Sequence, residues 1–356
     1  MLTARTGAFC ARFGLRLPLL LAPMAGVPAI ALPVAVGAAG GMGALGALLL
    51  DAAQIADWVA RYRAASAAPL QINLWVPDPA PQRDAAHEAA VRAFLAGFGP
   101  AVPASAGDTP LQDFDAQCRA VLAARPAAVS SIMGLFPPAF VRQLHAAGIA
   151  WFATATTVAE ARAAEAAGAD VVVAQGAEAG GHRGAFVAAG AVDRAVGLFA
   201  LLPQVVDAVR VPVVATGGIA DARGVAAALL LGASAVQIGT GFLRCPEAGI
   251  APVWAQALQG LAPEDTQLTR AFSGRWGRAL ATTYVRAAAA PDAPPPAPYP
   301  VQRGLSAAMK KAAEAAGDVQ RMQAWAGQGA GLSQALPAAE VTRGLCDGAL
   351  ALLGPR

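Results

Sequence analysis

Short apolar runs alternate with longer segments of helical periodicity along most of the chain, and this alternation restricts the possible folds more than any other feature. The runs that predict strands are residues 17–23, 43–48, 70–76, 128–133, 149–154, 170–175, 211–216 and 235–239. Between the second and third runs, apolar side chains have the spacing of one helix face: Ile55, Trp58, Val59 and Tyr62. Eight strand–helix units predict a closed (β/α)8, or TIM, barrel. An open doubly wound sheet would also alternate, but no GxGxxG motif follows the first strand and the strand count fits closure.

The length of the chain leaves room for a lobe beside the barrel. Its 356 residues exceed what most single cores contain, and the alternation stops after Cys245. Helical pieces and a proline-rich stretch at 291–300 follow. We therefore predict a barrel over residues 1–251, a smaller, mostly helical substrate lobe over 252–324 that covers the barrel mouth, and a C-terminal helix within 325–356 that returns to the barrel.

Hydropathy and charge argue against membrane and nucleic-acid proteins. Apolar residues make up 56% of the chain, largely as alanine, and no apolar run reaches the roughly 18 to 20 residues that span a bilayer. The stretch Leu17–Ala25 follows several arginines, as in a secretory leader, but Pro18 and Pro23 interrupt it, and a first barrel strand explains it better. The net charge of +3 is not gathered into a basic stripe, so no nucleic-acid partner is expected.

The cysteines indicate the redox environment. Cys10, Cys118, Cys245 and Cys346 lie far apart and form no CxxC pair. This spacing fits reduced thiols in the cytoplasm rather than a metal site or a disulfide framework. We expect a cytoplasmic protein without a bound metal, as a monomer or a homodimer.

The segment Ala174–Gly184, AQGAEAGGHRG, has the composition of a catalytic loop and directly follows an apolar run. Gln175 ends the predicted strand, and Gly180 and Gly181 let the backbone approach a ligand closely. His182 adds a group that titrates near neutral pH. A simple turn would need none of these residues.

The other predicted strand ends also carry ligand-binding residue types. TIM barrels commonly hold phosphate in the loops after the seventh and eighth strands, which here are rich in glycine and threonine. These loops are Thr216–Ile219 and Gln237–Gly241, and a helix that begins near Asp221 would point its N-terminus at an anion. At the first strand end, Ala22, Pro23 and Met24 could form the floor under a flat ring. Asn73 needs hydrogen bonds among apolar neighbours, either to a cofactor or between two loops.

Together these motifs resemble the nitronate monooxygenase family, flavin enzymes formerly called 2-nitropropane dioxygenases. The motifs that carry the resemblance are APMAG at 22–26, Asn73, AQGAEAGGHRG at 174–184, TGGI at 216–219, QIGT at 237–240 and AFSGR at 271–275. They extend over most of the chain.

The resemblance implies an FMN-dependent TIM barrel that oxidises alkyl nitronates with O2 to a carbonyl compound and nitrite. It implies that His182 is the catalytic residue, a base where the substrate is a neutral nitroalkane. Tyr299 is implied to contact the substrate. The residues implied to bind FMN are Ala22, Pro23, Met24, Asn73, Gln175, Gly180, Gly181, Gly217, Gly218, Gln237, Ile238, Gly239 and Thr240.

The chain departs from the family where the fourth strand ends. Several family members carry a histidine there, before a Gly-Leu pair, whereas this chain has Ile132 in the sequence SIMGL. The departure removes one polar contact to a nitro group and leaves the choice of substrate open. The lobe also carries basic residues that could attract an anionic substrate, although we expect most of them on a solvated face: Arg270, Arg275, Arg278, Arg286, Arg303, Lys310 and Lys311.

Two other functions remain open from the sequence. Flavin-dependent NAD(P)H:quinone reductases and enoyl-acyl-carrier-protein reductases have the same barrel and share the Gly-Gly-His loop. The continuation of that loop into Arg183 and the AFSGR segment favour the monooxygenase. A flavin-binding or phosphate-binding barrel without turnover is the alternative from a different class.

Overall fold

Eight parallel strands form the barrel that the sequence predicts. The computed structural model describes residues 4–27 and 29–354. The strands in chain order are β1 Leu19–Leu21, β2 Gly43–Gly46, β3 Leu70–Trp75, β4 Ala128–Ile132, β5 Ala150–Ala155, β6 Val171–Gln175, β7 Gly181–His182, β8 Val213–Thr216, β9 Ala235–Ile238, β10 Thr266–Thr269 and β11 Gly277–Leu280. The barrel sheet has the order β1-β9-β8-β6-β5-β4-β3-β2, and a parallel bridge between Leu20 and Met42 joins its two ends. All eight predicted strands and the closed barrel are confirmed.

The first strand is shorter than its apolar run. The run predicts residues 17–23, whereas β1 covers Leu19–Leu21. Pro18 and Pro23 flank it, and proline has no N–H group to donate to a neighbouring strand.

Helices surround the barrel and form much of the lobe. They are α1 Ala4–Phe13, α2 Ala31–Ala39, α3 Ala52–Ala65, α4 Ala85–Ala96, α5 Phe114–Ala124, α6 Pro138–Ala146, α7 Val158–Ala166, α8 Leu198–Ala208, α9 Ala222–Leu230, α10 Pro252–Ala257, α11 Thr283–Ala287, α12 Val301–Leu305, α13 Ala307–Ala316 and α14 Ala338–Leu353. The stripe predicted on α3 is buried as expected. A capping box fixes the start of this helix: Asp51 accepts a hydrogen bond from the Gln54 N–H at 2.8 Å, and the Gln54 side chain accepts from the Asp51 N–H at 2.9 Å.

The N-terminal end of the barrel is closed by α1. Phe9 and Phe13 of this helix contact Phe152 of β5, with ring centroids 6.4 Å and 5.1 Å away. These rings belong to an apolar cluster that also contains Leu20 and Val171. A core packed at this end leaves the carboxyl ends of the strands as the open face.

A three-stranded antiparallel sheet, in the order β10-β11-β7, ties the lobe to the barrel. Residues 85–98, which lie between β3 and β4, pack into the same apolar cluster as Phe272, Tyr284 and Met309 of the lobe. The predicted division at residues 251 and 324 stays a prediction, and these contacts cross its first boundary.

The chain ends with α14, which packs against α9 and α2 on the outside of the barrel. This helix lies within the predicted segment 325–356, whose assignment as a separate unit stays a prediction. Within residues 4–27 and 29–354, no helix combines the length and apolar character that crossing a membrane requires.

Candidate active site

A cavity of about 880 Å³ lies between the carboxyl ends of the barrel strands and the lobe. Every residue that the sequence predicts for the site lines it: Ala22, Pro23, Met24, Asn73, Gln175, Gly180, Gly181, His182, Gly217, Gly218, Gln237, Ile238, Gly239, Thr240 and Tyr299. The volume is large enough for a cofactor-sized ligand. The structure thus brings the whole predicted set together in one place.

The backbone of His182 is held on two sides. On one side it pairs with Gly277 of β11. On the other, the Gln175 side-chain amide donates to the His182 carbonyl at 3.1 Å and accepts from the Gly184 N–H at 2.8 Å. Gln175 therefore anchors the loop with both ends of its amide, and its predicted contact with FMN stays a prediction.

The His182 ring lies between two tryptophans. Its centroid is 4.8 Å from that of Trp75 and 4.8 Å from that of Trp325. Its Nε2 atom is 2.8 Å from the Ser273 hydroxyl oxygen. These contacts restrict rotation of the ring.

The surroundings of His182 disfavour its charged form. Burial lowers the pKa of the imidazole from 6.5 to about 3, with smaller contributions from the cations Arg275 and Lys310. His182 is therefore neutral near pH 7. A neutral imidazole can accept a proton from a ligand.

The Arg183 side chain is buried and hydrogen-bonds to the backbone of the turn after β6. It is 2% exposed, and its Nη1 atom donates to the Gly176 carbonyl at 2.6 Å. Burial lowers its pKa to about 10. The guanidinium thus fixes the turn that leaves β6 at the start of the loop 174–184.

The loops after β8 and β9 present free backbone donors. Within the described part of the chain, the N–H groups of Gly217, Gly218, Gly239 and Thr240 donate no backbone hydrogen bond. Gly217 and Gly218 have φ angles of +116° and +72°, which favour glycine. The helix α9 begins beside them near Asp221, as predicted, and the Asp221 side chain caps it. Free N–H groups near a helix N-terminus suit an anion such as phosphate.

Small residues keep the space beside these loops open. A Cβ atom at Gly180 would lie 2.5 Å from the Gly327 nitrogen and 2.6 Å from the Thr240 hydroxyl oxygen. A Cβ at Gly329 would lie 2.4 Å from the Gly218 carbonyl oxygen. Only glycine allows this approach of three backbone segments.

Comparison with known proteins identifies the family. A family model described as nitronate monooxygenase matches residues 11–348. The chain belongs to the nitronate monooxygenase family. It is 40% identical to nitronate monooxygenases of Paraburkholderia phytofirmans and Pseudomonas aeruginosa, over 96% of this chain and 94% and 99% of theirs. The protein is accordingly an oxidoreductase of a family of flavin enzymes.

Two solved structures share the architecture. Nitroalkane oxidase from Streptomyces ansochromogenes is 36% identical, with a TM-score of 0.85 over 96% of this chain and 99% of that chain. FabK from Thermotoga maritima is 25% identical, with a TM-score of 0.75 over 97% of this chain and 96% of that chain.

The cavity of this nitronate monooxygenase family member fits a flavin nucleotide. The free N–H groups of the two loops could hold the phosphate. Asn73 donates its side-chain N–H groups to the Ser130 carbonyl at 3.2 Å and hydroxyl at 3.0 Å, which leaves its oxygen free to accept a hydrogen bond from a ring. Met24 lies beside Gly239, in keeping with a floor under a flat ring. Asn73 therefore ties β3 to Ser130 of β4, and its predicted contact with the cofactor stays a prediction.

The lobe closes the cavity with polar atoms that lack protein partners. In the described residues, the Tyr299 hydroxyl and the Trp254 indole nitrogen are buried without a hydrogen bond. Arg303 and Lys310 line the same cavity, and burial together with the nearby Arg303 charge lowers the pKa of Lys310 to about 8. Ile132 presents an apolar side chain at the end of β4.

The expectation that most basic residues of the lobe are solvated is wrong. Arg275 and Arg278 are 4% and 8% exposed. Arg275 pairs with Asp78 at 3.4 Å, and Arg278 donates to the Ala177 carbonyl at 3.0 Å. Of the seven basic residues, only Arg286 and Lys311 are exposed. Arg275 and Arg278 are buried because they pair with groups distant in the chain, and the sequence does not indicate these partners.

Sequence reasoning missed Trp75, Trp325 and Ser273. Trp75 was visible at the end of the third strand, and Ser273 lies within the AFSGR segment. Nothing local connects either of them to His182, because Ser273 is 91 residues away along the chain.

Proposed function

We propose that this protein is an FMN-dependent nitronate monooxygenase that oxidises alkyl nitronates with O2 to a carbonyl compound and nitrite. One observation supports the proposal above all. His182, whose lowered pKa keeps the imidazole neutral, lies in the same cavity as two loops with free backbone N–H groups. The names of the relatives support the substrate class.

When bound, FMN would accept electrons from the substrate and make them available to O2. Gly217, Gly218, Gly239 and Thr240 would hold its phosphate, and Met24 and Asn73 would contact its ring. The two tryptophans beside His182 and the buried lobe residues would exclude water from the substrate.

His182 would act where the substrate is a neutral nitroalkane. The imidazole takes the proton from the α-carbon, and the electrons of the broken C–H bond form the C=N bond of the nitronate. The resulting imidazolium lies beside the anion and stabilises it. A preformed nitronate has already lost this proton and needs no base.

Replacing His182 by Asn tests this division of roles. The His182→Asn variant should retain FMN and lose roughly 100-fold or more of its turnover with neutral nitroethane, within the range for a general base. Its turnover with preformed ethyl nitronate should fall much less. Nitrite release and the FMN content of the purified protein are measured for both. Equal activity of parent and variant on nitroethane would exclude His182 as the general base.

The likeness to FabK supports a second candidate, a flavin-dependent NAD(P)H reductase with a quinone or enoyl-acyl-carrier-protein acceptor. Its distinguishing property is rapid flavin reduction by NADH in the absence of a nitronate.

We also propose a cytoplasmic location, with the protein a monomer or a homodimer. The described cysteines Cys10, Cys118, Cys245 and Cys346 are all unpaired and buried, which supports a reducing compartment.

A further inference from the structure

We propose that Ser273 is a positioning residue that determines which nitrogen of His182 takes the proton. It holds the neutral ring with its hydrogen on Nε2 and leaves Nδ1 as the basic atom. This inference rests on the proposed role of His182 as a base.

The Ser273 hydroxyl is a buried junction of three contacts. The residue is 2% exposed, and its oxygen lies 2.8 Å from His182 Nε2. The same oxygen is 3.3 Å from the Arg275 carbonyl oxygen and 3.3 Å from the Arg275 nitrogen. A hydroxyl has one hydrogen to donate and two lone pairs that can accept.

One arrangement satisfies all these groups at once. The Arg275 N–H donates to the hydroxyl oxygen, the hydroxyl donates to the Arg275 carbonyl, and Nε2–H of His182 donates to the remaining lone pair. Nδ1 then carries a free lone pair. Within the described chain Nδ1 makes no hydrogen bond, and the ring lines the cavity. Nδ1 is therefore the nitrogen available to a substrate.

The opposite arrangement would give no base. If the hydroxyl donated to Nε2, the hydrogen of the neutral ring would be on Nδ1, and neither nitrogen could accept a proton from a ligand without rearrangement. With Nε2–H, proton uptake at Nδ1 leaves the contact with Ser273 unchanged. Trp75 and Trp325 beside the ring hinder a flip that would exchange the two nitrogens.

The turn that carries Ser273 is firmly held. The Ala271 carbonyl accepts from the Tyr284 hydroxyl at 2.8 Å and from the Gln302 side chain at 2.7 Å. The Ser306 hydroxyl donates to the Phe272 carbonyl at 2.7 Å. The turn leads into β11, which pairs with His182 itself. Its hydrogen bonds thus fix the hydroxyl relative to the imidazole.

The tautomer can be observed directly. FMN-loaded protein labelled with ¹⁵N-histidine gives ring-nitrogen signals whose chemical shifts distinguish Nε2–H from Nδ1–H. The chain has three histidines, and His182→Asn assigns the relevant signals. The parent should show protonated Nε2 and unprotonated Nδ1. Protonated Nδ1 in the neutral ring would overturn the inference.

Two serine variants test the consequence. Ser273→Ala should show a mixture of tautomers and lose roughly tenfold to hundredfold in turnover of nitroethane, the range expected when a buried polar partner is removed. Turnover of preformed ethyl nitronate should stay within about twofold. Ser333→Ala is the matched control, because it removes a buried hydroxyl whose hydrogen bond goes to the Ala330 carbonyl rather than to His182 or to the turn that carries Ser273. Ser273→Thr, which keeps a hydroxyl, should restore both readouts.

The experiments distinguish failure of the proposed function from failure of the role of Ser273. A protein that oxidises no nitronate refutes the proposed function, while the ring-nitrogen signals still decide the role of Ser273. Unchanged tautomer signals in Ser273→Ala, or equal losses in Ser273→Ala and Ser333→Ala, would refute that role. Should Ser273→Ala fail to fold, the parent still tests the inference, because protonated Nδ1 in its neutral His182 ring would refute it.

Discussion

Mild acid should destabilise this protein through His182. In the unfolded chain a histidine has a pKa near 6.5, whereas burial in the cavity lowers the pKa of His182 to about 3. The difference corresponds to on the order of 5 kcal/mol against the charged imidazole in the folded state.

The sign of the effect follows from proton binding. Above pH 6.5 both states are neutral at this position, so the group contributes no pH dependence. Between pH 6.5 and about 3 the unfolded chain binds the proton and the folded chain does not. The free energy of unfolding therefore decreases as the pH is lowered, by about 1.4 kcal/mol per pH unit, or about 2 kcal/mol between pH 6.5 and 5.

Urea unfolding of the FMN-saturated parent and of His182→Asn, at pH 7.5 and at pH 5, isolates this contribution. Because asparagine does not titrate, the free energy of unfolding of the variant should decrease by about 2 kcal/mol less than that of the parent on acidification. The comparison of differences cancels the other titrating groups that the two proteins share. An equal loss in both proteins would refute a neutral, half-buried His182.

Two further predictions concern the cavity and the barrel core. Gly180→Ala should bind FMN about tenfold more weakly or worse in a fluorescence titration, because overpacking against backbone costs about 1–3 kcal/mol. Gly344→Ala, whose Cβ meets nothing within 4 Å on the outer helix α14, should bind FMN normally. Equal affinities would contradict the close backbone packing at Gly180. Phe152→Ala should lower the free energy of unfolding by about 3–5 kcal/mol, since the ring is 0% exposed. Leu352→Ala, at a residue that is 59% exposed, should change the free energy of unfolding by no more than about 0.5 kcal/mol. Similar effects of the two substitutions in urea unfolding would refute the packing of α1 on the barrel.

The barrel and the members of its site were predictable because their signals are local. The parallel strands are largely buried on both faces, and most of them are apolar runs, as Val171–Val173 is. Closure then places all strand ends on one face, so residues as distant as Asn73 and Thr240 meet without any contact being predicted individually.

The arrangement around His182 was not predictable because it depends on pairing between distant segments. β7 consists of two residues, too few for any periodicity, and exists because β11 pairs with it. Ser273 comes from the lobe and Trp325 from the segment directly after it, and no motif specifies the chain path of either. The burial of Arg275 likewise follows from its pairing with Asp78.

The central claim is that a nitronate, rather than a nicotinamide, reduces the flavin of this protein. The most direct test is anaerobic mixing of the FMN-loaded enzyme with ethyl nitronate in one cell and with NADH in another, while the flavin absorbance is followed. We predict rapid loss of the oxidised flavin spectrum with ethyl nitronate, release of nitrite when air is admitted, and no comparable change with NADH. Rapid bleaching by NADH together with an unchanged spectrum in ethyl nitronate would contradict the account and identify a reductase.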